Sequence, residues 1–239
     1  MTYLELVNKV LRRMREPTVG AVAESTYSLM VGEFVNDAKC VVEDSWPWRA
    51  LLDTVSIPTV AGTSSYDLED YNCGTSGTPP RENARLYIDP ESSVPLIRIT
   101  TDNQESLVLK ASQSYLFIER QTASNDNIRD RPNTVFFGTN PSPTTGNSNL
   151  RLFPVPIPDA VYALQVYLIN PQNNLSVDST VILAPSHPIV QLAYLYCLYE
   201  RGEEVGESLS LTSEKANMAL ADAIMHDQAL TSDIVFRNN

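Results

Sequence analysis

The first 48 residues carry two stretches in which apolar side chains recur at the spacing of an α-helix. Thr2 stands three residues before Glu5, a capping-box pattern that predicts a helix start, and Pro17 predicts the end of that helix. A second helix is predicted from Ser25 to the segment WPW. The predicted apolar faces consist of Leu4, Val7, Leu11 and Met14 in the first helix and of Tyr27, Met30, Phe34, Ala38 and Val41 in the second.

From residue 49 to about residue 183 the pattern changes to short β-type runs that are broken by Gly, Pro, Asn and Ser. The segments TVFFG, NLRLF and AVYALQVYLI predict strands, and the polar segment TNPSPTTGNSN predicts a surface loop between the first two of them. About six to eight strands in this length suit a small β-sandwich or barrel.

The last quarter of the chain returns to helical spacing. A helix is predicted from Ser186, with Pro188 in its first turn. Its segment IVQLAYLYCLY is apolar around nearly the whole circumference, which is typical of a helix inside a bundle. After the polar segment RGEEVGE, a final helix carries a face of mostly small side chains that allow close packing, namely Ala216, Ala219, Leu220 and Ala223.

These elements predict an α+β fold in which both chain ends form one four-helix bundle and a β-sandwich or barrel-like domain is inserted between them. The expected divisions are residues 1–48 and 184–231 for the two halves of the bundle, 49–183 for the β domain and 232–239 for a C-terminal tail. One core built from both ends requires apolar contacts between the halves, such as those of Leu11 and Phe34 with Leu192, Tyr196 or Leu220.

The composition is that of an ordinary globular protein, because 43% of the residues are hydrophobic and 19% are charged. No apolar run approaches the roughly 20 residues of a membrane-spanning helix, and the N-terminus lacks a signal-peptide core, so a soluble, unexported protein is expected. Cys40, Cys73 and Cys197 form no CxxC pair, which predicts reduced thiols. The net charge of -12 argues against a protein that wraps nucleic acid.

The motifs predict no catalytic, cofactor-binding or metal-binding site, and the chain is expected not to be an enzyme. His187 and His226 lie in no HExxH or other zinc-binding spacing, and no GxSxG elbow indicates a hydrolase nucleophile. Glycine-rich phosphate-binding motifs are also missing from the sequence. One oxygen-rich segment lacks the glycine and the bidentate glutamate of a calcium-binding EF-hand, and we interpret it as a polar loop. It contains Asn125, Asp126, Asn127 and Asp130.

Two aromatic or proline-rich segments have a binding and a structural interpretation. Pro154, Pro156 and Pro158 could present a polyproline II ligand to a partner, but a stiff edge strand or lead-in to the strand VYALQVYLI is favoured. Trp46 and Trp48 would suit stacking with sugar or bases if they were exposed, whereas anchoring in the core is favoured.

Six segments occur along the chain in the order VNKVLRRMREPTV, WPWRALL, IPTVAGTSSYDLED, RPNTVFF, LRLFPVPIPDAVYALQVYL and PSHPIVQLAYLYCLYERGE. This order, over roughly residues 4–225, resembles bacteriophage head-to-tail adaptors, in particular the tail tubular protein A group of short-tailed phages. The fifth segment is the most specific. Two departures are Glu69, where such proteins often carry proline, and the extra proline at Pro156–Pro158; both concern local loop geometry.

The resemblance implies a structural protein of the virion tail or neck that is assembled in the host cytoplasm. It implies a closed ring of about twelve copies, which joins the portal to the tail nozzle or tube protein. DNA would pass through the lumen as cargo without specific binding, and an acidic channel wall would repel phosphate. No cofactor and no membrane are implied as partners.

The segment TSDIVFRNN after the final helix is the predicted portal-docking site. Burial of its apolar side chains on a partner would contribute on the order of 4–8 kcal/mol before ordering costs. The alternative is a tail that folds back onto the β domain of its own chain or stays disordered. The docking residues are Ile234, Val235, Phe236 and Arg237.

A cluster of basic side chains lies near the end of the first predicted helix. Arg12, Arg13 and Arg15 complement the negative end of the first helix and are also suited to contact a neighbouring acidic subunit.

One alternative function is a β-sandwich receptor-binding or fibre-associated tail protein that recognises host sugar through exposed aromatic side chains. Another is a small hydrolase whose catalytic triad assembles in space. Helices at both chain ends disfavour the first alternative, and the missing nucleophile elbow disfavours the second.

Overall fold

The computed structural model describes residues 1–88, 96–101, 104–108, 110–112, 129–202 and 207–231. The chain divides into two compact units. One consists of Met1–Leu51 with the described part of residues 172–239, and the other of the described part of Leu52–Pro171. The described α-helices belong to the first unit and the named strands to the second, so the fold is mixed α+β.

Four α-helices lie in the described part of the first unit. They are α1 (Tyr3–Arg13), α2 (Thr26–Ser45), α3 (Ser186–Arg201) and α4 (Glu207–Thr231). Helix α3 contacts α1, α2 and α4, so helices from both ends of the chain pack together. Phe34 of α2 and Tyr196 of α3 meet edge to face with their ring centroids 6.3 Å apart, which is one of the contacts that the sequence predicts.

The start of α1 follows the capping-box pattern of the sequence. Thr2 Oγ1 accepts a hydrogen bond from the Glu5 N–H at 3.3 Å, and Glu5 Oε2 accepts one from the Thr2 N–H at 2.9 Å. The helix ends at Arg13, before Pro17, and Arg15 adopts a left-handed φ of 59° in the turn that follows. Of the predicted apolar face, Val7, Leu11 and Met14 are buried and Leu4 is half-buried.

Helix α2 begins at the predicted cap but buries a face that only partly coincides with the predicted one. Ser25 Oγ accepts a hydrogen bond from the Ser28 N–H at 3.0 Å, as the sequence predicts for an N-cap. Of the predicted face, Ala38 is buried and Phe34 is half-buried, but Val41 is 46% exposed. The Tyr3 side chain of α1 packs against Gly32 of α2, which has no apolar side chain to indicate this contact. The apolar side chains buried along α2 are Val31, Val35, Ala38 and Val42.

Residues 172–185 form an irregular segment along the first unit. The N–H groups of Tyr3 and Leu4 donate to the carbonyls of Thr180 and Asp178 at 2.9 and 3.1 Å. The Ile182 N–H donates to the Met1 carbonyl at 3.0 Å. The segment therefore satisfies N–H groups that the first turn of a helix leaves without an intrahelical partner.

The second unit contains two sheets in its described residues. The strands are β1 (Leu52–Pro58), β2 (Tyr66–Asp67), β3 (Arg85–Leu86), β4 (Ile97–Thr101), β5 (Gln104–Val108), β6 (Lys110–Ser112), β7 (Thr134–Thr139), β8 (Leu150–Val155) and β9 (Ala163–Ile169). The first sheet has the order β1-β9-β4-β5, with β3 also paired to β9, and its strand pairs are antiparallel. The second sheet has the order β2-β8-β7-β6, in which β6 and β7 are parallel and the other pairs are antiparallel.

Apolar side chains from both sheets form one buried cluster. Alternate residues of β1 and β9 point to the same side of the first sheet, as the two-residue period of a strand requires. The second sheet contributes aromatic and branched side chains to the same cluster. Its members include Val55, Ile57, Ile97, Ile99, Leu164, Val166 and Leu168 from the first sheet and Tyr66, Val135, Phe137 and Leu152 from the second.

Asp53 in β1 holds a turn of the β unit through backbone hydrogen bonds. Its Oδ1 accepts from the N–H groups of Thr54 at 2.8 Å and Thr75 at 2.9 Å, and its Oδ2 accepts from the Ser76 N–H at 3.3 Å. Burial raises the pKa of Asp53, but the hydrogen bonds together bring that pKa below its ordinary value. The folded state therefore favours the charged carboxylate.

Replacing Asp53 by alanine is expected to lower the free energy of unfolding by about 1–3 kcal/mol at pH 7. A lowered folded-state pKa gives stability that is present above the ordinary carboxyl pKa of about 4 and is lost as the pH falls through the folded-state value. The difference between variant and parent should therefore shrink when urea unfolding is repeated at about pH 3. Glu82→Ala, an exposed site of the same unit, is the control; an equal Asp53 effect at both pH values would contradict the assignment.

Candidate functional site

The predicted portal-docking residues lie outside the described part of the chain. Ile234, Val235, Phe236 and Arg237 follow α4, whose last residue is Thr231. Their role stays a prediction. Asn125, Asp126 and Asn127 of the oxygen-rich segment also lie outside the described residues.

The two histidines occupy exposed helical positions. His187 lies in the first turn of α3 and His226 lies in the second half of α4. Within the described ranges, no group of three or more His, Cys, Asp or Glu side chains is placed to hold a metal ion. The three cysteines form no disulfide, and burial raises the pKa of both the Cys73 and the Cys197 thiol to about 11.

The two tryptophans after α2 anchor this part of the chain to the helical unit. Trp48 is 1% exposed, and its Nε1–H donates to the Val42 carbonyl at 2.6 Å. Trp46 is half-buried, and its Nε1–H donates to Asp227 Oδ2 of α4 at 2.9 Å. Core anchoring is confirmed for Trp48, which leaves no indole face for stacking with sugar or bases.

The proline-rich segment is built into the β unit. Pro154 is buried in β8 opposite Val135 of β7, and Pro158 is buried with its carbonyl accepting from the Gly62 N–H at 2.8 Å. Pro156 follows a cis peptide bond and is half-buried. The interpretation as a presented polyproline ligand was wrong, because two of the three rings are not accessible to a partner. Strand β8 pairs with β7 along its whole length but with β2 over only two residues. The interpretation as an edge strand therefore holds in part.

A buried ion pair in α2 was not indicated by the motif analysis. Lys39 Nζ donates to Glu43 Oε2 at 2.9 Å, and both side chains are 1% exposed. Lys39 also donates to the Gln172 carbonyl at 2.6 Å, and Glu43 Oε1 accepts from the Gln172 N–H at 3.4 Å. Burial raises the pKa of Glu43, and the Lys39 ammonium opposes that rise. The pair therefore fixes the segment after residue 171 to the C-terminal half of α2.

The exposed face of α1 is basic. Lys9, Arg12 and Arg13 are exposed and lie on one side of the helix. Arg13 Nη1 donates to Gln191 Oε1 of α3 at 2.6 Å, and its guanidinium lies 5.9 Å from the ring centroid of Tyr194. Arg12 Nε donates to the Asn8 carbonyl, and Lys9 Nζ donates to Met1 Sδ. Neither side chain forms an ion pair with a carboxylate among the described residues. These three side chains are called the basic face below.

A groove between α2 and α3 combines aromatic rings with carboxylates. It has a volume of about 460 Å³ and is lined by Phe34, Asp37, Tyr196, Tyr199 and Glu200. Tyr199 is 57% exposed, while Phe34 and Tyr196 are half-buried. Burial and the nearby Asp37 carboxylate raise the pKa of Tyr196. This site is called the acidic groove below, and its chemistry suits a cationic side chain.

The outer face of α4 is partly apolar. Leu211, Met218 and Met225 are 53%, 65% and 67% exposed, and their seven-residue spacing aligns them along the helix. The opposite face packs through Ala216 and Ala219, as the sequence predicts. The outer face therefore presents a row of apolar side chains to the solvent.

Sequence reasoning found Arg12 and Arg13 of the basic face but grouped them with Arg15, which lies in the turn after α1, instead of with Lys9. It missed the acidic groove and the buried ion pair. The groove combines residues that are about 160 positions apart in the chain, so only the packing of α2 against α3 creates it. The ion pair left one signal in the sequence, because Lys39 and Glu43 have the four-residue spacing of a helical salt bridge.

Surfaces of opposite charge and an apolar helix face, all on one helical unit, suit contacts with other macromolecules. None of the described helices is long and apolar enough to cross a membrane. A family model described as SU10 adaptor protein matches residues 1–234, and the chain belongs to this family. It is a bacteriophage structural adaptor, a virion component with a role in linking head and tail. No curated protein matches the chain.

Proposed function

We propose that this adaptor is the subunit of a closed ring of about twelve copies that joins the portal to the tail nozzle or tube protein. The observation that carries the proposal is the family match over nearly the whole chain. The division into two compact units is compatible with it, since each unit could contact a different component. The proposed architecture is a four-helix bundle with an inserted β-sandwich, in the manner of the tail tubular protein A group.

The acidic charge of the chain supports a role for the ring as a DNA channel. A net charge of -12 per subunit makes counterion-release binding of phosphate unfavourable, so DNA would pass without being retained. In this function no residue performs covalent chemistry. Assembly in the host cytoplasm and a place in the virion neck belong to the same proposal.

Electron microscopy of the purified chain mixed with its portal protein tests the ring directly. The expected result is a ring of added density on one face of the portal, with a copy number near twelve. A portal that shows no such density at saturating concentrations of the chain would rule the ring function out.

Deletion of residues 234–239 is expected to abolish co-sedimentation with the portal. These residues include the three apolar side chains that we propose to dock on it, whose burial is worth on the order of 4–8 kcal/mol before ordering costs. The melting temperature and circular dichroism should stay nearly unchanged. Phe236→Ala should weaken binding in the same direction, whereas Asn239→Ala serves as the matched control. Unchanged portal affinity of the truncated chain would place docking elsewhere.

The alternative of a sugar-binding receptor protein receives less support. Every described aromatic side chain of the β unit is buried or half-buried, including Tyr66, Phe137 and Phe153. Sugar recognition through stacking requires exposed rings. A glycan-array signal together with a trimeric mass would favour this alternative over the ring.

A further inference from the structure

The basic face and the acidic groove lie on different sides of helix α3. Gln191 and Tyr194, which contact Arg13 of α1, mark one side of α3. At 100° per residue, Tyr196 and Glu200 of the groove lie about 120–180° around the helix from these two residues, and Tyr199 lies about 80–140° from them. The two surfaces are therefore separate within one chain.

The charges of the two surfaces are complementary. Lys9, Arg12 and Arg13 belong to a chain that has only 17 basic residues against 29 acidic ones. Asp37 and Glu200 are exposed at the groove, and neither has an ion pair with a basic side chain among the described residues. Aromatic rings beside two carboxylates are a favourable site for a guanidinium, which stacks on a ring and donates to carboxylate oxygens.

We propose that the acidic groove of one copy receives the basic face of the neighbouring copy, with Arg12 as the side chain that enters between Tyr199 and the carboxylates. This inference rests on the proposed ring and identifies the surfaces that close it. Arg12 suits this role because it is exposed and is not engaged with α3, unlike Arg13. Lys9 lies one turn earlier on the same face and pairs with the second carboxylate.

A contact between two different surfaces is heterologous, so an open chain of copies always presents one unused basic face at one end and one unused groove at the other. Such contacts propagate until the rotation between copies closes a ring. The pairing also gives an acidic chain a specific attraction that offsets repulsion between copies. Because most of these groups are exposed, assembly should weaken as the NaCl concentration rises from about 0.1 to 0.5 M.

Two charge-reversed variants test the pairing. The first carries Lys9→Glu with Arg12→Glu, and the second carries Asp37→Lys with Glu200→Lys. Each variant alone should associate at least about 100-fold more weakly than the parent chain, because like charges meet at every contact. An equimolar mixture should assemble again, since the reversed surface of each variant fits the reversed surface of the other and the unreversed surfaces still match. Native mass spectrometry of the chain alone and on its portal should then show the two variants in equal numbers.

The controls separate this pairing from a general effect of charge. Lys215→Glu and Glu214→Lys reverse exposed charges of α4 in the same unit and should leave assembly unchanged. Tyr199→Phe should assemble like the parent chain, whereas Tyr199→Ala should weaken assembly because it removes the ring that stacks on the guanidinium. Circular dichroism checks that each variant is folded.

A zero-length carbodiimide cross-link provides a second, independent measurement. Mixed ¹⁴N and ¹⁵N chains carrying Arg12→Lys should give mixed-isotope peptides that join residues 9 or 12 to residues 37 or 200. If the parent chain forms rings while both charge-reversed variants form them equally well, the interface is wrong and the ring stands. If the parent chain forms no ring even on the portal, the ring is wrong. Cross-links from the groove to the portal instead of to a second copy would also overturn the proposed pairing.

Discussion

Replacing Lys39 by alanine is expected to lower the free energy of unfolding by about 3–5 kcal/mol. The substitution leaves the Glu43 carboxylate buried without its ammonium partner, and it removes the donor to the Gln172 carbonyl. Glu43→Ala should have a comparable effect, because it isolates the Lys39 ammonium in the same way. Urea unfolding followed by circular dichroism measures both.

The double variant Lys39→Met with Glu43→Leu distinguishes the cost of an isolated charge from the loss of packing. It should be less destabilised than either alanine variant, since no buried charge remains. Lys215→Ala, at an exposed position of α4, should change the free energy of unfolding by no more than about 0.5 kcal/mol. Alanine variants as stable as this control would show that the pair is not buried in solution.

Replacing Trp48 by alanine is expected to cost about 3–5 kcal/mol of stability. The indole is 1% exposed, so its removal leaves a large cavity, and the Val42 carbonyl loses one donor but keeps the Ser45 hydroxyl. Trp48→Phe should retain part of the packing and fall between parent and alanine variant. Trp46→Phe removes the bond to Asp227 at a half-buried site and should cost only about 1 kcal/mol. Equal losses for Trp46→Phe and Trp48→Ala, measured by urea unfolding, would contradict the different burial of the two side chains.

The sequence predicted the helix starts better than the helix faces. Thr2 and Ser25 are caps because a short polar side chain can accept from an N–H three residues later, which is local information. The face of α2 depends on what packs against it. A Cβ at Gly32 would lie 2.3 Å from the Tyr3 hydroxyl oxygen, so α1 approaches α2 where the hydrophobic pattern has a gap.

The sequence predicted which kinds of segment form strands in the β unit, but it did not predict which strands pair with each other. Alternating segments such as the one that forms β9 indicate strands from local sequence. Strand pairing depends on distant residues, for example Leu52 of β1 opposite Ile169 of β9. Local pattern carries no information about that pairing, and the same limit hid the groove between α2 and α3.

The buried thiols bear on the chemical durability of a protein that leaves the cell as part of a virus particle. With a pKa of about 11, roughly one Cys73 or Cys197 side chain in a thousand is a thiolate at pH 8. Oxidants and disulfides react with the thiolate, so both residues should survive exposure to air that would consume an accessible cysteine. Burial thus protects Cys73 and Cys197 against oxidation during storage of the particle, without any disulfide having to form.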